Sequence, residues 1–312
     1  MKHLLTLRHS TYLLGFMALP CMVLFATACE AVIDVETLPD PPRLVVDGLM
    51  RVDTTKEFID VRIKVTETND FFSENTVTDL ERIVILPGIV DSIALSGVSF
   101  GRSRVLTESE PGTGVYTPNV VPFASDERLR TAGLTPESVF LLILEHKGRR
   151  YAAQTRYVPT VPIDRLEQGE ATLFDEDDTE LKISLTDIPE EENYYIFDFG
   201  GGEFLALDDE FINGQEFEFS YFPERDLIPG ETITVSILGA DQELFNYIDL
   251  LVEQTENDGG VFETPAATVR GNIFDITGLD NVNIFDNVNR PNEFALGYFG
   301  FVQEFKDSLI IK

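Results

Sequence analysis

The sequence predicts a mainly β chain: an N-terminal immunoglobulin-like β-sandwich, then a second β-rich domain with one packed α-helix. Three observations carry this. Short apolar runs, several of them alternating with polar residues, recur from residue 43 to residue 238, broken by Gly and Pro clusters. A single stretch, after Asp241, has apolar residues at helical spacing. Repeated strand–helix–strand units are absent, which removes the doubly wound folds and the α/β barrel. Of 312 residues, 43% are hydrophobic and 25% charged, so the chain can bury a core.

The first 28 residues read as an export signal. Lys2, His3, Arg8 and His9 make a weakly basic start, and uncharged, mostly apolar residues run from Thr11 to Ala28, interrupted by Pro20. Ala26-Thr27-Ala28-Cys29 resembles a bacterial lipobox, with cleavage between Ala28 and Cys29 and lipidation of Cys29. Ala26 stands where such motifs usually carry Leu. Ala26-x-Ala28 also suits the general signal peptidase, which cuts at the same bond and leaves no lipid. Pro20 and the small-residue end disfavour a spanning anchor. Cleavage leaves Cys29 as the only cysteine and His146 as the only histidine, so the mature chain can form no internal disulfide. Residues 29–42 form a tether stiffened by Pro39, Pro41 and Pro42.

The sandwich is expected over 43–160. Arg43–Asp47 opens it, and Phe58–Thr66 alternates strictly, with Ile59, Val61, Ile63 and Val65 opposite Asp60, Arg62 and Lys64. Ile83–Leu86, Ser92–Leu95, Val139–Glu145 and Tyr151–Tyr157 are further strands, the last two joined by a turn at His146-Lys147-Gly148. Ser125–Gly133 reads as a short helix capped by Ser125. Val158-Pro159-Thr160-Val161-Pro162 is an extended connector into a domain over 161–312. There Glu180–Leu185, Asn193–Phe199, Glu203–Leu207, Glu216–Tyr221 and Thr232–Leu238 are strands. The helix is expected over about 241–257: Asp241 caps it, Leu244, Tyr247, Ile248, Leu251 and Val252 face a sheet, and Gly259-Gly260 end it.

The charge excludes more than it suggests. Lys plus Arg is 23 and Asp plus Glu is 55, a net −32, which argues against a nucleic acid held through its phosphates. Gly97-Val98-Ser99-Phe100-Gly101 matches a nucleophile-elbow pattern, but strand-like residues follow it and His146, the only possible base, sits beside a turn. Two histidine-poor acidic runs remain for a hard cation. Asp175, Asp177 and Asp178 are calcium candidates, and Asp208-Asp209-Glu210 is a second acidic turn, yet neither has the EF-hand spacing. Gly200-Gly201-Gly202 lies among strands and reads as a turn. Lys147, Arg149 and Arg150 read as a hairpin tip. The residues point to no cofactor and to no catalytic constellation.

Several motifs occur in order along the chain: Cys29-Glu30, Arg43-Leu44-Val45-Val46-Asp47-Gly48, Gly114-Val115-Tyr116, Val139–Ile143, Gly148 to Tyr151, Val161-Pro162-Ile163-Asp164, Gly271-Asn272-Ile273 and Leu296-Gly297-Tyr298-Phe299. Together they resemble a Bacteroidota outer-membrane lipoprotein family, domain of unknown function four-two-four-nine. Phe140 in place of Tyr and the long Pro118–Pro136 stretch depart from the pattern. Physically these residues suggest turns at Gly48, Gly148 and Gly297, core positions at Val45 and Tyr298, and a connector set by Pro162. The resemblance implies an accessory or ligand-capturing role beside a TonB-dependent receptor, and it supplies no catalytic residues.

The expected protein is a lipid-anchored, non-enzymatic module at the outer membrane, facing either the surface or the periplasm. A structural or adhesion protein is the alternative, and a surface hydrolase built on carboxylates is the third reading. Intact-mass analysis of the protein from native membranes should find a diacylated Cys29 at its N-terminus. An unmodified Cys29 would eliminate the lipid anchor.

Overall fold

The computed structural model describes residues 42–68, 76–91, 97–120, 126–173, 178–256, 269–278 and 294–312. Alternation builds the first elements. In β1 (Leu44–Val52), Leu44, Val46, Met50 and Val52 are buried while Asp47 is exposed. Before and within β2 (Ile63–Glu67), Ile59, Val61, Ile63 and Val65 are buried and Asp60, Arg62 and Lys64 exposed, as the pattern predicts. Then follow β3 (Thr76–Val77), β4 (Arg82–Val90), β5 (Val98–Phe100), β6 (Arg104–Glu108), β7 (Val115–Pro118), β8 (Ser138–His146) and β9 (Arg149–Val158). The β8–β9 hairpin turns through Lys147 and Gly148, both at positive φ.

The remaining strands are β10 (Arg165–Gln168), β11 (Leu181–Thr186), β12 (Tyr194–Gly200), β13 (Glu203–Asp208), β14 (Glu216–Tyr221), β15 (Thr232–Ala240), β16 (Phe274–Asp275) and β17 (Leu296–Ile310). The Gly200-Gly201-Gly202 turn joins β12 to β13. The helix α1 (Gln242–Glu256) lies against β12, β13 and β15. Asp241 caps it, its Oδ1 accepting the Leu244 N–H at 2.8 Å. Leu244 is buried and Phe245, Tyr247 and Ile248 pack beside it, as the stripe requires.

The main sheet closes on itself. In order, β1, β2, β7, β6, β4, β8, β9 and β17 form an eight-stranded ring, with β17 hydrogen-bonded back to β1. Neighbours are antiparallel except at β17, which runs parallel to both β1 and β9. Met50, Ile63, Ile85, Leu142, Leu144 and Phe299 fill the interior. There Phe140 stacks on Phe301 with ring centroids 3.8 Å apart. The first half of the chain therefore does not build the expected immunoglobulin-like sandwich. It supplies seven strands of a ring, because the C-terminal β17 enters between β1 and β9 and removes the two open edges.

The seam on the β9 side is unusual. β17 pairs directly with β9 only at Phe301–Tyr157 and Val302–Val158. Toward the start of β17, the Asn272 side chain takes the place of a strand. Its NH₂ donates to the Phe299 carbonyl at 2.7 Å and its oxygen accepts the Phe299 N–H at 2.9 Å. Ile273 then enters the ring core, and β16 pairs with Tyr151 and Ala152 of β9. The crossing is tight. A Cβ on Gly271 would lie 1.7 Å from the Gly297 carbonyl oxygen. Gly297 has φ +90°, and its own Cβ would lie 1.9 Å from the Val46 carbonyl oxygen. Gly48 and Gly297 thus sit within strands rather than in the expected turns.

Beyond the ring β17 continues alongside β15, extending a four-strand face β13-β12-β15-β17. The separate sheet β10-β11-β14 packs on this face across Leu181, Ile183, Tyr195, Phe197, Val235 and Ile237. The chain leaves the ring at the Pro159–Pro162 connector and returns to it through β17, so the ring is not contained within residues 43–160.

Two expectations change or fall outside. Residues 126–133 form no helix; 129–131 run beside residues 57–59, with Ile59 N–H donating to the Leu129 carbonyl at 2.9 Å and Thr131 N–H to the Glu57 carbonyl at 3.2 Å, and 131–134 close a turn through Gly133. Asp126 accepts the Arg128 N–H at 3.0 Å, a local turn in place of a cap. Ser92–Leu95, Ser125 and Gly259-Gly260 lie outside the described residues.

Replacing Asn272 by Ala strands a buried N–H and a buried carbonyl, and should cost about 2–4 kcal/mol in urea unfolding. Gly297→Ala should cost more than about 2 kcal/mol, since the backbone itself must move. Gly201→Ala is the control: its φ is +67° with nothing within 4 Å, so only the left-handed penalty of about 1–2 kcal/mol applies. Equal losses for Gly297→Ala and Gly201→Ala would refute the close-packed seam.

Candidate functional site

A pocket of about 450 Å³ opens at one end of the ring. Antiparallel pairing places the end of β4, the start of β8 and the start of β6 there, with β5 paired to the last residues of β4. Leu129 and Phe140, both buried, meet Pro87, Phe100 and Leu134 to line it with apolar surface. Such a lining, framed by strands that cannot readily rearrange, is what a small-molecule site needs.

Its rim is basic. Arg104 and Arg130 line the opening, and Arg102 and Arg128 stand next to them in the same two strips. The strips are held together by these side chains. Arg102 Nη1 binds Glu127 Oε1 at 2.7 Å, and Arg102 and Arg104 both donate to the Asp126 carbonyl, at 3.0 and 3.2 Å. Arg130 binds Glu57 Oε1 at 2.5 Å, and Arg128 lies 3.7 Å from the centre of the Phe58 ring. The Arg128 side chain and backbone N–H hold the Asp126 carboxyl down at about 2. Burial raises Glu127, but Arg102 and the Val105 N–H outweigh it, and that carboxyl is also held low. Among the described residues, Arg104 Nε is buried without a hydrogen-bond partner.

A second concavity, of about 710 Å³, lies on the outer face of β1 and β17. It is lined by charges of both signs, several already matched. Arg51 reaches Asp198 at 2.6 Å and Glu304 at 3.2 Å, and Lys306 reaches Glu304 at 3.1 Å. This is a clamp between the ring and the β13-β12-β15-β17 face rather than an open set of donors.

The residues singled out in the sequence are dispersed. Ala28, Cys29, Asp175 and Asp177 lie outside the described residues. Asp178 accepts the Leu173 N–H at 3.0 Å, and Asp209 is buried, accepting from Asn193 and Asn213 at 3.0 and 3.2 Å, so both serve their own loops. Among the described residues no three His, Cys, Asp or Glu side chains lie together as a metal site. Ser99 pairs with Ile89, which pairs with Ser138 at one end of β8, whereas His146 is at the other. A strand of nine residues separates the two by roughly 26 Å, so they form no triad. His146 instead meets Glu67 Oε1 at 3.0 Å, with Lys147 on both Glu67 oxygens at 2.8 Å.

The basic rim was not anticipated. Its signal is present, however: Arg102-x-Arg104 and Arg128-x-Arg130 are two pairs at strand spacing in a chain rich in acids.

No curated protein matches the sequence. Among solved structures, the α chain of the chicken interferon gamma receptor aligns at 10% identity, over 65% of this chain and 90% of that one. Its TM-score is 0.15. A family model described as a domain of unknown function, DUF4249, matches residues 30–308, and the chain belongs to that family.

Proposed function

We propose that the protein is a lipid-anchored accessory of the outer membrane that captures a ligand for a TonB-dependent receptor. The observation that carries the ligand-binding part is the apolar pocket with a basic rim at the end of the ring. Its walls come from β4, β5 and β8, which are fixed by pairing, so the site is preformed. The receptor and the lipid anchor rest on the lipobox-like leader and on the family resemblance.

The sandwich suits the partner-facing role. We read β10-β11-β14 against β13-β12-β15-β17 as an immunoglobulin-type arrangement, three strands facing four, placed in the C-terminal half of the chain. Clamped to the ring by Arg51, it gives a receptor a stiff body to hold. The chain is read as a binder: among the described residues Ser99 and His146 stand near opposite ends of β8.

Purification from native outer membranes in mild detergent should recover a TonB-dependent receptor in stoichiometric amount. Recovery of the acylated protein alone, together with unimpaired receptor-dependent uptake when its gene is deleted, would overturn the partnership.

A further inference from the structure

We propose that the pocket at the end of the ring takes a compact apolar molecule carrying an anionic group, of which a short-chain carboxylate is the simplest example. This rests on the reading of the chain as a ligand binder and adds the ligand's chemistry.

Three observations converge. The first is size and lining: about 450 Å³ walled largely by Leu129, Phe140, Phe100 and Leu134, with Ser99 and Ser138 as its uncharged polar side chains, accepts a small and mainly apolar body. The second is the field. In a chain of net charge −32, Arg102, Arg128 and Arg130 are matched by Glu127, Asp126 and Glu57, which leaves Arg104, at the pocket's opening, with no carboxylate partner among the described residues. That guanidinium is a local place for an anion on a chain that otherwise repels one. The third is a specific donor. Arg104 lines the pocket, and among the described residues its guanidinium donates to one backbone carbonyl, that of Asp126, and to no carboxylate. A ligand carboxylate at the opening is the acceptor that best completes it. A cationic amphiphile would fit the lining but meet the guanidiniums. A neutral alcohol would fit and give the guanidinium only a weak acceptor.

The test is calorimetric titration of the purified chain with octanoate, 1-octanol and octyltrimethylammonium, each below its aggregation threshold. Octanoate should bind about tenfold more tightly than octanol, the value of one charge-assisted hydrogen bond, and the cation should not bind. Arg104→Gln should weaken octanoate about tenfold and leave octanol unchanged. Ser99→Phe, which fills the pocket from β5, should abolish binding of both. Equal affinity for octanoate and octanol, octanoate binding indifferent to both variants, or no octanoate binding at millimolar concentration would each overturn the proposal. If Arg104→Gln fails to fold, the ranking of the three probes on the natural chain and the Ser99→Phe result still decide it. The measurement involves no receptor, so failure here leaves the partnership standing, and failure to recover a receptor leaves the titration standing.

Discussion

The fold depends on one side-chain amide. Asn272 supplies Phe299 with both hydrogen bonds that a neighbouring strand would otherwise provide. Without it, β17 would reach β9 at two residues only, and the ring would be open over the start of β17. An open edge beside a buried aromatic pair, Phe299 and Phe301, admits water to the core. The amide can act this way because the backbone around it is stripped of side chains: Gly271 and Gly297 let two chain segments cross at a distance that no Cβ tolerates. The family motifs around Gly271-Asn272-Ile273 and Leu296–Phe299 therefore describe the two sides of one seam.

β17 carries the consequence outward. Its first half is a stave of the ring and its second half a strand of the sandwich, so the closing of one positions the other. Arg51 reinforces this by joining β1 of the ring to Asp198 of β12 and Glu304 of β17. With Glu304 nearly buried, that network is more than a surface pair, whose contribution would be close to nothing. Two bodies linked through a continuous strand and a buried ion cluster have little freedom to hinge.

Most strands were legible because one face meets a core and the other meets water, as in the Ile59–Val65 run. β17 was not, for a physical reason. From Tyr298 to Val302 it is buried on both faces, with Phe299 and Phe301 in the ring core and Tyr298 and Val302 under α1, so its apolar residues do not alternate. The closed ring was illegible with it, since closure is a property of a pairing some 250 residues apart. The expected helix at Ser125–Gly133 failed differently: Ser125 followed by Asp126, Glu127 and arginines looks like a capped first turn, but the Asp126 side chain caps a local bend and the backbone beyond it pairs with residues 57–59. That same misreading hid the candidate site, because only an extended strip turns Arg128 and Arg130 to the same side.

The pocket's placement then follows from the closure. A ring of eight strands has room for its own side chains or for one small ligand, and here its interior is filled by Phe140, Phe299 and Phe301. A ligand of this ring therefore sits at an end. One end is occupied by the Glu67–His146–Lys147 cluster, where hydrogen bonds from Lys147 and His146 outweigh burial and keep the Glu67 carboxyl ionised below its ordinary range. The other end is where β4 overruns β6 and takes β5 as a partner, and there the pocket opens with Phe140 among its lining. The arginines reach that opening because the strips that carry them are extended and paired with their neighbours' backbones. A cavity at that end is thus the by-product of a strand longer than its neighbour, and its charge comes from the residues that hold the strips in place.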